Sequence, residues 1–290
     1  MGERLVILAG GVSSRMKNSS ASEDLAQHLR HAADNQPKAM IAVGETQRPF
    51  LDYLLYNARS AGYSDIVIVI GPNDSLMRSH YRGNDCGNYF HGLSISYAVQ
   101  SIPEGRTKPL GTADALLQGL LSVPEWAGSY FSVCNSDNLY SADAFAALLR
   151  LSSESVMIDY NSETLGMSSA RLNQFAVTKK SADGYLEALI EKPSAEEIAQ
   201  CRTAGGHVGV SMNLFRLSYD RILPALQNTP LNPVRREKEL PAAVLLMCEM
   251  TKEKVRTIEF AEAVPDLTTK IDIGPVMQLI RTSFPKDLWK

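Results

Sequence analysis

Cysteine is scarce and scattered in this chain. Cys86, Cys134, Cys201 and Cys248 are the four in 290 residues, and no two stand in a Cys-x-x-Cys spacing, so neither a zinc site nor a disulfide framework is expected. No apolar run reaches the roughly 18–20 residues of a membrane-spanning helix. Met1-Gly-Glu-Arg leads straight into a short apolar stretch without the longer one of a secretory leader, and Val6 stands where a myristoylation motif wants Ser or Thr. These absences point to a reducing cytoplasm and away from a membrane. A basic run is also missing: 29 Lys+Arg are set against 32 Asp+Glu for a net charge of −3, so no nucleic-acid partner is expected. A small polyanion would need only a few placed cations. Two familiar glycine loops are absent as well. Counting from Gly10, the third and sixth positions of a dinucleotide fingerprint hold Val12 and Arg15, and no Gly-Lys-Ser/Thr follows.

What is present begins with residues 4–17. Leu5 to Leu8 form an unbroken β-prone run that suits a strand buried on both faces, and Gly10-Gly11 lets the backbone turn and approach a ligand without Cβ clashes. Ser13, Ser14 and Arg15 then add hydroxyls and a guanidinium to the freed amides of a helix start, a combination able to grip polyphosphate. An ordinary strand-to-helix turn reads almost as well from this stretch alone.

Further along, helical spacing of Phe50, Leu51, Leu54, Leu55 and Ala58 is closed by Gly62, and residues 65–70 form a second buried-strand candidate. Residues 76–81 and a helix starting at Leu110 read as helical, whereas 93–99 and 130–137 read as strands. This order predicts an α/β fold with a mostly parallel sheet and ligands at the carboxyl ends of its strands. The second half is more mixed, with strands expected at 171–179, 185–190, 207–217 and 254–260, and helices at 195–201, 219–226, 236–250 and 275–282. Residues 17–36 form a polar insertion. Within it, Ser20-Ala-Ser-Glu23 reads as a capping box, and the single weakly apolar face of Leu25 and Leu29 predicts a short, loosely packed helix. Tied near Arg15 and Lys38 at its two ends, it is expected to act as a mobile lid, with a passive excursion or a subunit contact as alternatives. A homo-oligomer is left open.

Leu8-Ala-Gly-Gly-Val-Ser-Ser-Arg15-Met resembles the opening signature of the sugar-1-phosphate nucleotidylyltransferases, and Pro37-Lys38 matches the Pro-Lys pair that follows it in that family. Asn135-Ser-Asp137 resembles the family's metal-binding motif, Glu191-Lys192-Pro193 its Glu-Lys-Pro signature, and Thr269-Lys-Ile-Asp272-Ile-Gly its late aspartate. Gln100 and Leu110-Gly111-Thr112-Ala113 resemble the base-reading segment, here split by residues 101–109, and Val210-Ser-Met-Asn213 the sugar-side strand, with Asn213 where many members have glycine. These motifs spread in order from Leu8 to Gly274, so the resemblance covers essentially the whole chain.

The resemblance implies a single domain over residues 1–290, a Rossmann-like mixed sheet flanked by helices, with a nucleotide-binding half to about residue 140 and a sugar- and metal-binding half beyond. It implies Mg²⁺-dependent joining of a sugar 1-phosphate and a nucleoside triphosphate, UTP or dTTP favoured, to give an NDP-sugar and pyrophosphate. Leu8, Ala9, Gly10, Gly11, Ser13, Ser14, Gln100, Gly111 and Thr112 would hold the nucleotide, and Arg15, Lys38 and Lys192 would steady phosphates. Glu191 and Asn213 would meet the sugar, and Asp137 and Asp272 the metal. Taken without the resemblance, Asp137 is as well read as a helix cap, Asp272 as the cap of the terminal helix, and Glu191-Lys192 as surface composition. Two alternatives stay open: a cytidylyl- or guanylyltransferase of a non-sugar phosphate, since Ser13-Ser14-Arg15-Met16 is closer to those relatives, and a nucleotide-sugar binding protein without turnover.

Overall fold

The first apolar run forms β1 (Glu3–Leu8), and Leu5, Val6 and Ile7 are wholly buried, as a strand covered on both faces requires. The structure is a computed structural model that describes residues 2–22, 24–44, 47–166, 172–173, 175–203 and 205–290. The chain forms two compact units that interleave along the sequence: Met1–Pro109 with Asn135–Ala142 and Pro265–Lys290, and Leu110–Cys134 with Asp143–Val264.

In the first unit, β1 is followed by α1 (Ser14–Asn18), α2 (Gln27–Asn35), α3 (Phe50–Ala61), β2 (Tyr63–Ile70), α4 (Ser75–Tyr81), β3 (Asn88–Phe90) and β4 (Leu93–Val99). β1, β2 and β4 run parallel in that order, with Leu5 opposite Ile66 and Ile66 opposite Ile95, and the short β3 closes the edge antiparallel to β4. Apolar periodicity in α3 buries Phe50, Leu51, Leu54, Leu55 and Ala58 together. Asp52 is buried on the same helix because Tyr81 Oη donates to it at 2.7 Å and His80 and Arg48 reach its carboxylate. The chain ends on a terminal helix (Ile273–Ser283), after which Phe284 and Trp289 pack edge-on against Tyr53 and Tyr56 of α3, and His91 stacks on Trp289.

The insertion is not loosely packed. Leu25, Leu29, Ala32 and Ala33 are all buried, and α2 begins at Gln27, later than the expected capping box, whose Glu23 lies outside the described residues. The Arg30 guanidinium folds back on its own loop, donating to Leu25 O at 2.7 Å and Ser22 O at 3.0 Å. Alanine's small side chain hid the second half of the apolar stripe from a reading that counted only leucines.

The second unit contains α5 (Thr112–Leu121), β5 (Tyr130–Asn135), α6 (Ala142–Leu149), β6 (Ser155–Asn161), β7 (Ala176–Lys180), β8 (Leu186–Glu191), α7 (Ala195–Gln200), β9 (Gly209–Ser218), α8 (Tyr219–Asn228), α9 (Leu240–Thr251) and β10 (Val255–Phe260). β9 is its centre. One edge pairs antiparallel with β6 and the other with β5 near Phe215 and β7 near Ser211, while β10 lies parallel to β6. The mixed character expected of this half is therefore found.

Some elements differ from expectation. α6, β6 and β3 were not anticipated: α6 is apolar nearly throughout and β6 is buried nearly throughout, so neither carries a clear periodicity, and β3 has only three residues. α9 starts at Leu240, not Arg236, since Pro241 suits only a helix's first turn. Residues 171 and 174 of the strand expected over 171–179 lie outside the described residues, and the strand described is β7. Asp137 lies two residues past the end of β5 instead of on it. None of the four cysteines is in a disulfide, and no helix among the described residues is long and apolar enough to cross a membrane. Leu29→Ala should cost about 2–4 kcal/mol by removing a buried side chain from a packed site; urea unfolding checks this, and a change near zero would restore the loosely packed helix.

Candidate functional site

In the first unit the loop after β1 is held from two sides: Ala9 N donates to Val69 O at 2.8 Å, and Ser136 N donates to Leu8 O at 3.1 Å. Space at Gly10 is tight on the side of Gln100. A Cβ at that position would stand 2.9 Å from Gln100 Oε1, and Gln100 is buried with its backbone N–H donating to Ile70 O. The extra residues 101–109 thus leave Gln100 beside the loop. Gly11 has open space where its Cβ would be, and Ser13 takes a left-handed φ of 56° before α1 begins. Ser13 Oγ accepts weakly from Lys38 N at 3.4 Å, which ties the loop to the Pro37-Lys38 turn. Arg15 is exposed, and its guanidinium makes no hydrogen bond or ion pair among the described residues.

Lys38 lies in a 3-10 turn (Lys38–Met40), and its ammonium pairs closely with Asp137 Oδ2, both side chains being mostly buried. Asp137 is fixed by its backbone. Leu267 N donates to Asp137 O and Leu139 N to Pro265 O, both at 2.8 Å, so the segment leading to Asp272 runs alongside the Asp137 turn. Asp272 Oδ2 accepts from Thr269 N at 2.6 Å, Thr269 Oγ1 at 2.9 Å and Thr268 N at 3.1 Å, capping the 3-10 turn Lys270–Asp272 and making no side-chain cap to the terminal helix. Its other oxygen has no hydrogen bond among the described residues. No three His, Cys, Asp or Glu side chains gather in metal-binding fashion among the described residues.

In the second unit, Gly111 has a φ of 113° and a Cβ would fall 2.5 Å from Lys238 O, so both conformation and contact demand glycine. Lys238 O accepts from Ala113 N at 2.9 Å, and Thr112 Oγ1 accepts from Leu240 N at 2.9 Å, capping the start of α9 from another helix. Glu191 ends β8. Burial pushes its carboxyl up from the ordinary glutamate range and the nearby Glu239 carboxylate adds to this, while Arg235 and Lys192 pull the other way. Lys192 follows in a left-handed conformation, φ 49°, with its side chain exposed and no ion pair among the described residues.

Asn213 has a physical reason to replace glycine. It sits where β9 changes partner from β5 to β7, the pairing with β6 slips between Met157 and Asp159, and its φ is 59°. Asparagine tolerates that region better than other side chains.

Several charged groups escaped the sequence reading. Glu239 holds Arg235 at 2.8 Å and Asn232 at 2.9 Å beside Glu191, and no spacing in the chain signals it. Asp159 is wholly buried in β6, bound by Thr178 Oγ1 at 2.6 Å and by Lys180; its pKa is raised by burial against those bonds. An aspartate inside Val156-Met-Ile-Asp-Tyr160 was a visible signal.

The nucleotidyl transferase family model matches residues 4–212, which include every candidate residue except Asn213 and Asp272. D-glycero-alpha-D-manno-heptose 1-phosphate guanylyltransferase of Aneurinibacillus thermoaerophilus is 24% identical over 138 residues, 48% of this chain and 47% of that protein. The bifunctional protein GlmU of Symbiobacterium thermophilum is 29% identical over 133 residues, 46% of this chain and 21% of that protein. The matched stretch is thus about half of the first relative and a fifth of the second. A UDP-glucose pyrophosphorylase complexed with UDP-glucose superposes with a TM-score of 0.71 at 15% identity, over 97% of this chain and 99% of that one. A UTP-bound UGPase from Acinetobacter baumannii gives 0.70 at 17% identity, over 99% and 95%. At such identities the likeness is one of fold.

Asn213→Gly should leave stability nearly unchanged, whereas Asn213→Val should cost about 1–2 kcal/mol, because a β-branched side chain is strained at positive φ. Equal midpoints for the two variants in chemical unfolding would remove the backbone explanation.

Proposed function

Because the chain belongs to the nucleotidyl transferase family, we propose that it joins a sugar 1-phosphate and a nucleoside triphosphate to give an NDP-sugar and pyrophosphate in the cytoplasm. The observation that carries this reading is the Lys38–Asp137 pair beside the Gly10–Arg15 loop, with the Arg15 guanidinium left exposed. A phosphate oxygen of the sugar phosphate attacks the α-phosphorus in line, and pyrophosphate leaves. No covalent enzyme intermediate is needed, since positioning and charge neutralisation supply most of the catalysis of such transfers.

Within the first unit, Leu8, Ala9, Gly10, Gly11, Ser13 and Ser14 present backbone and hydroxyl groups to the triphosphate, Arg15 and Lys38 neutralise its charge, and Gln100 is assigned to the base. Within the second, Gly111 and Thr112 are assigned to the nucleotide, Glu191 and Asn213 to the sugar, and Lys192 to its phosphate. A carboxylate that already binds an ammonium and a second one with an unengaged oxygen form a hard-oxygen donor set that fits Mg²⁺. Asp137 and Asp272 would hold it, and it would supply charge neutralisation at the phosphates. UTP or dTTP is the favoured triphosphate, and the guanylyltransferase relative makes GTP the competitor to test.

Pyrophosphate release from a grid of triphosphates and sugar 1-phosphates tests the proposal directly; no release from any pair would refute it. Arg15→Ala should impair every pair in the grid, whereas Glu191→Ala should change the ranking of sugars, since only Glu191 is assigned to hydroxyls. Uniform loss across sugars for both variants would make Glu191 structural.

The raised pKa of Glu191 gives a second test. The carboxylate is the form that accepts sugar hydroxyls, so KM for the sugar phosphate should rise as pH falls through a pKa above the usual 4.5. Glu239→Gln removes one cause of that elevation and should move the limb to lower pH. A limb that stays in place or moves upward would contradict the role given to Glu191.

A further inference from the structure

Lys270 is a buried cation that the proposed reaction does not use. It opens the 3-10 turn that carries Asp272, and it is 6% exposed. Its ammonium donates to Ser19 O at 2.8 Å and Lys17 O at 2.9 Å and pairs with Asp34 Oδ1 at 2.7 Å, so its three protons are matched by three acceptors. The backbone joins in: Lys270 N donates to Ser19 Oγ at 3.0 Å, and Ser19 Oγ donates onward to Met16 O at 3.0 Å.

Those acceptors belong to two different elements. Lys17 and Ser19 lie at the C-terminal end of α1, the short helix whose first turn holds Ser14 and Arg15, and Asp34 lies in the last turn of α2, inside the insertion. One side chain therefore grips the helix of the candidate phosphate loop, the inserted helix and the turn bearing Asp272. Stability alone does not call for a lysine here, because buried ion pairs are commonly replaced by well-packed apolar residues without loss. An apolar residue could not hold two carbonyls of α1 at hydrogen-bonding distance from the Asp272 turn.

We propose that Lys270 is a positioning residue: it fixes the Arg15 loop relative to Asp272, and the 17–36 insertion braces it by supplying Asp34. The role of the insertion is then to hold the loop still and not to open and close over it. This rests on the reading of the Gly10–Arg15 loop as the triphosphate site, and it names what keeps that site in register.

The test compares Lys270→Met with the double variant Lys270→Met/Asp34→Leu, using melting temperature, both KM values and amide hydrogen exchange of the full chain. The single variant leaves Asp34 unpaired and should melt lower. The double variant removes the stranded carboxylate and should recover the melting temperature, yet it restores neither bond to α1. Its KM for the triphosphate should therefore stay raised by roughly tenfold to a hundredfold, the penalty of a small misplacement, while KM for the sugar phosphate is unchanged. Exchange should quicken at residues 15–19 and 268–272 and nowhere else. Recovery of triphosphate KM together with melting temperature, or equal rises for both substrates, overturns the proposal. If the wild-type chain turns over no substrate pair, the triphosphate reading falls by itself. Local exchange at residues 15–19 then still decides whether Lys270 positions the loop, with unchanged or uniformly raised exchange counting against it.

Discussion

An ammonium and a carboxylate 99 residues apart in sequence meet in the first unit, where Lys38 closes on Asp137. Much of that unit's local structure serves to place the two. Pro37 starts the turn that presents Lys38, whose amide leans on Ser13 of the loop, and Asp137 is held through its backbone by Leu267. Neither group is fully buried, so the pair retains access to water and to exchange of partners. A polyphosphate brings several negative charges at once, and a lysine already poised at the loop can serve them without being recruited from solvent.

The same economy of local bonds recurs at the other candidate residues. Only glycine fits at position 111 because Lys238 O lies 2.5 Å from where a Cβ would be, and that carbonyl, with Thr112, fastens the start of α5 to the start of α9. Glu191 stands at a strand end against Glu239 and Arg235, so its affinity for a proton is set by residues from a distant part of the chain. Asp272 spends one oxygen on Thr268 and Thr269 and keeps the other unengaged, which gives a rigid carboxylate that can still act as a ligand.

Strands and helices with strong periodicity or clear stops were legible: β1, α3, β2 and β4 follow from apolar pattern and Gly62. Elements without periodicity, α6 and β6, were not. Asn213 was visible as an anomaly, and the left-handed backbone at the bulge accounts for it. The packing of the insertion was underestimated for two reasons, one local and one distant. Two alanines complete its apolar face, and its main anchor, Lys270, lies 251 residues from Ser19 in sequence. Long-range ion pairs such as Lys38 with Asp137 and Lys270 with Asp34 carry no mark in the sequence, because a Lys or Asp that is clamped looks the same there as one in solvent.

The central claim is that Asp137 is a working ligand of the triphosphate site and not a helix cap. The most direct measurement is kcat for pyrophosphate release by Asp137→Asn at saturating Mg²⁺ and substrates, with the melting temperature measured alongside. A neutral amide coordinates Mg²⁺ poorly, so kcat should fall about a hundredfold or more while the fold stays intact. A kcat near that of the unaltered chain would contradict the account.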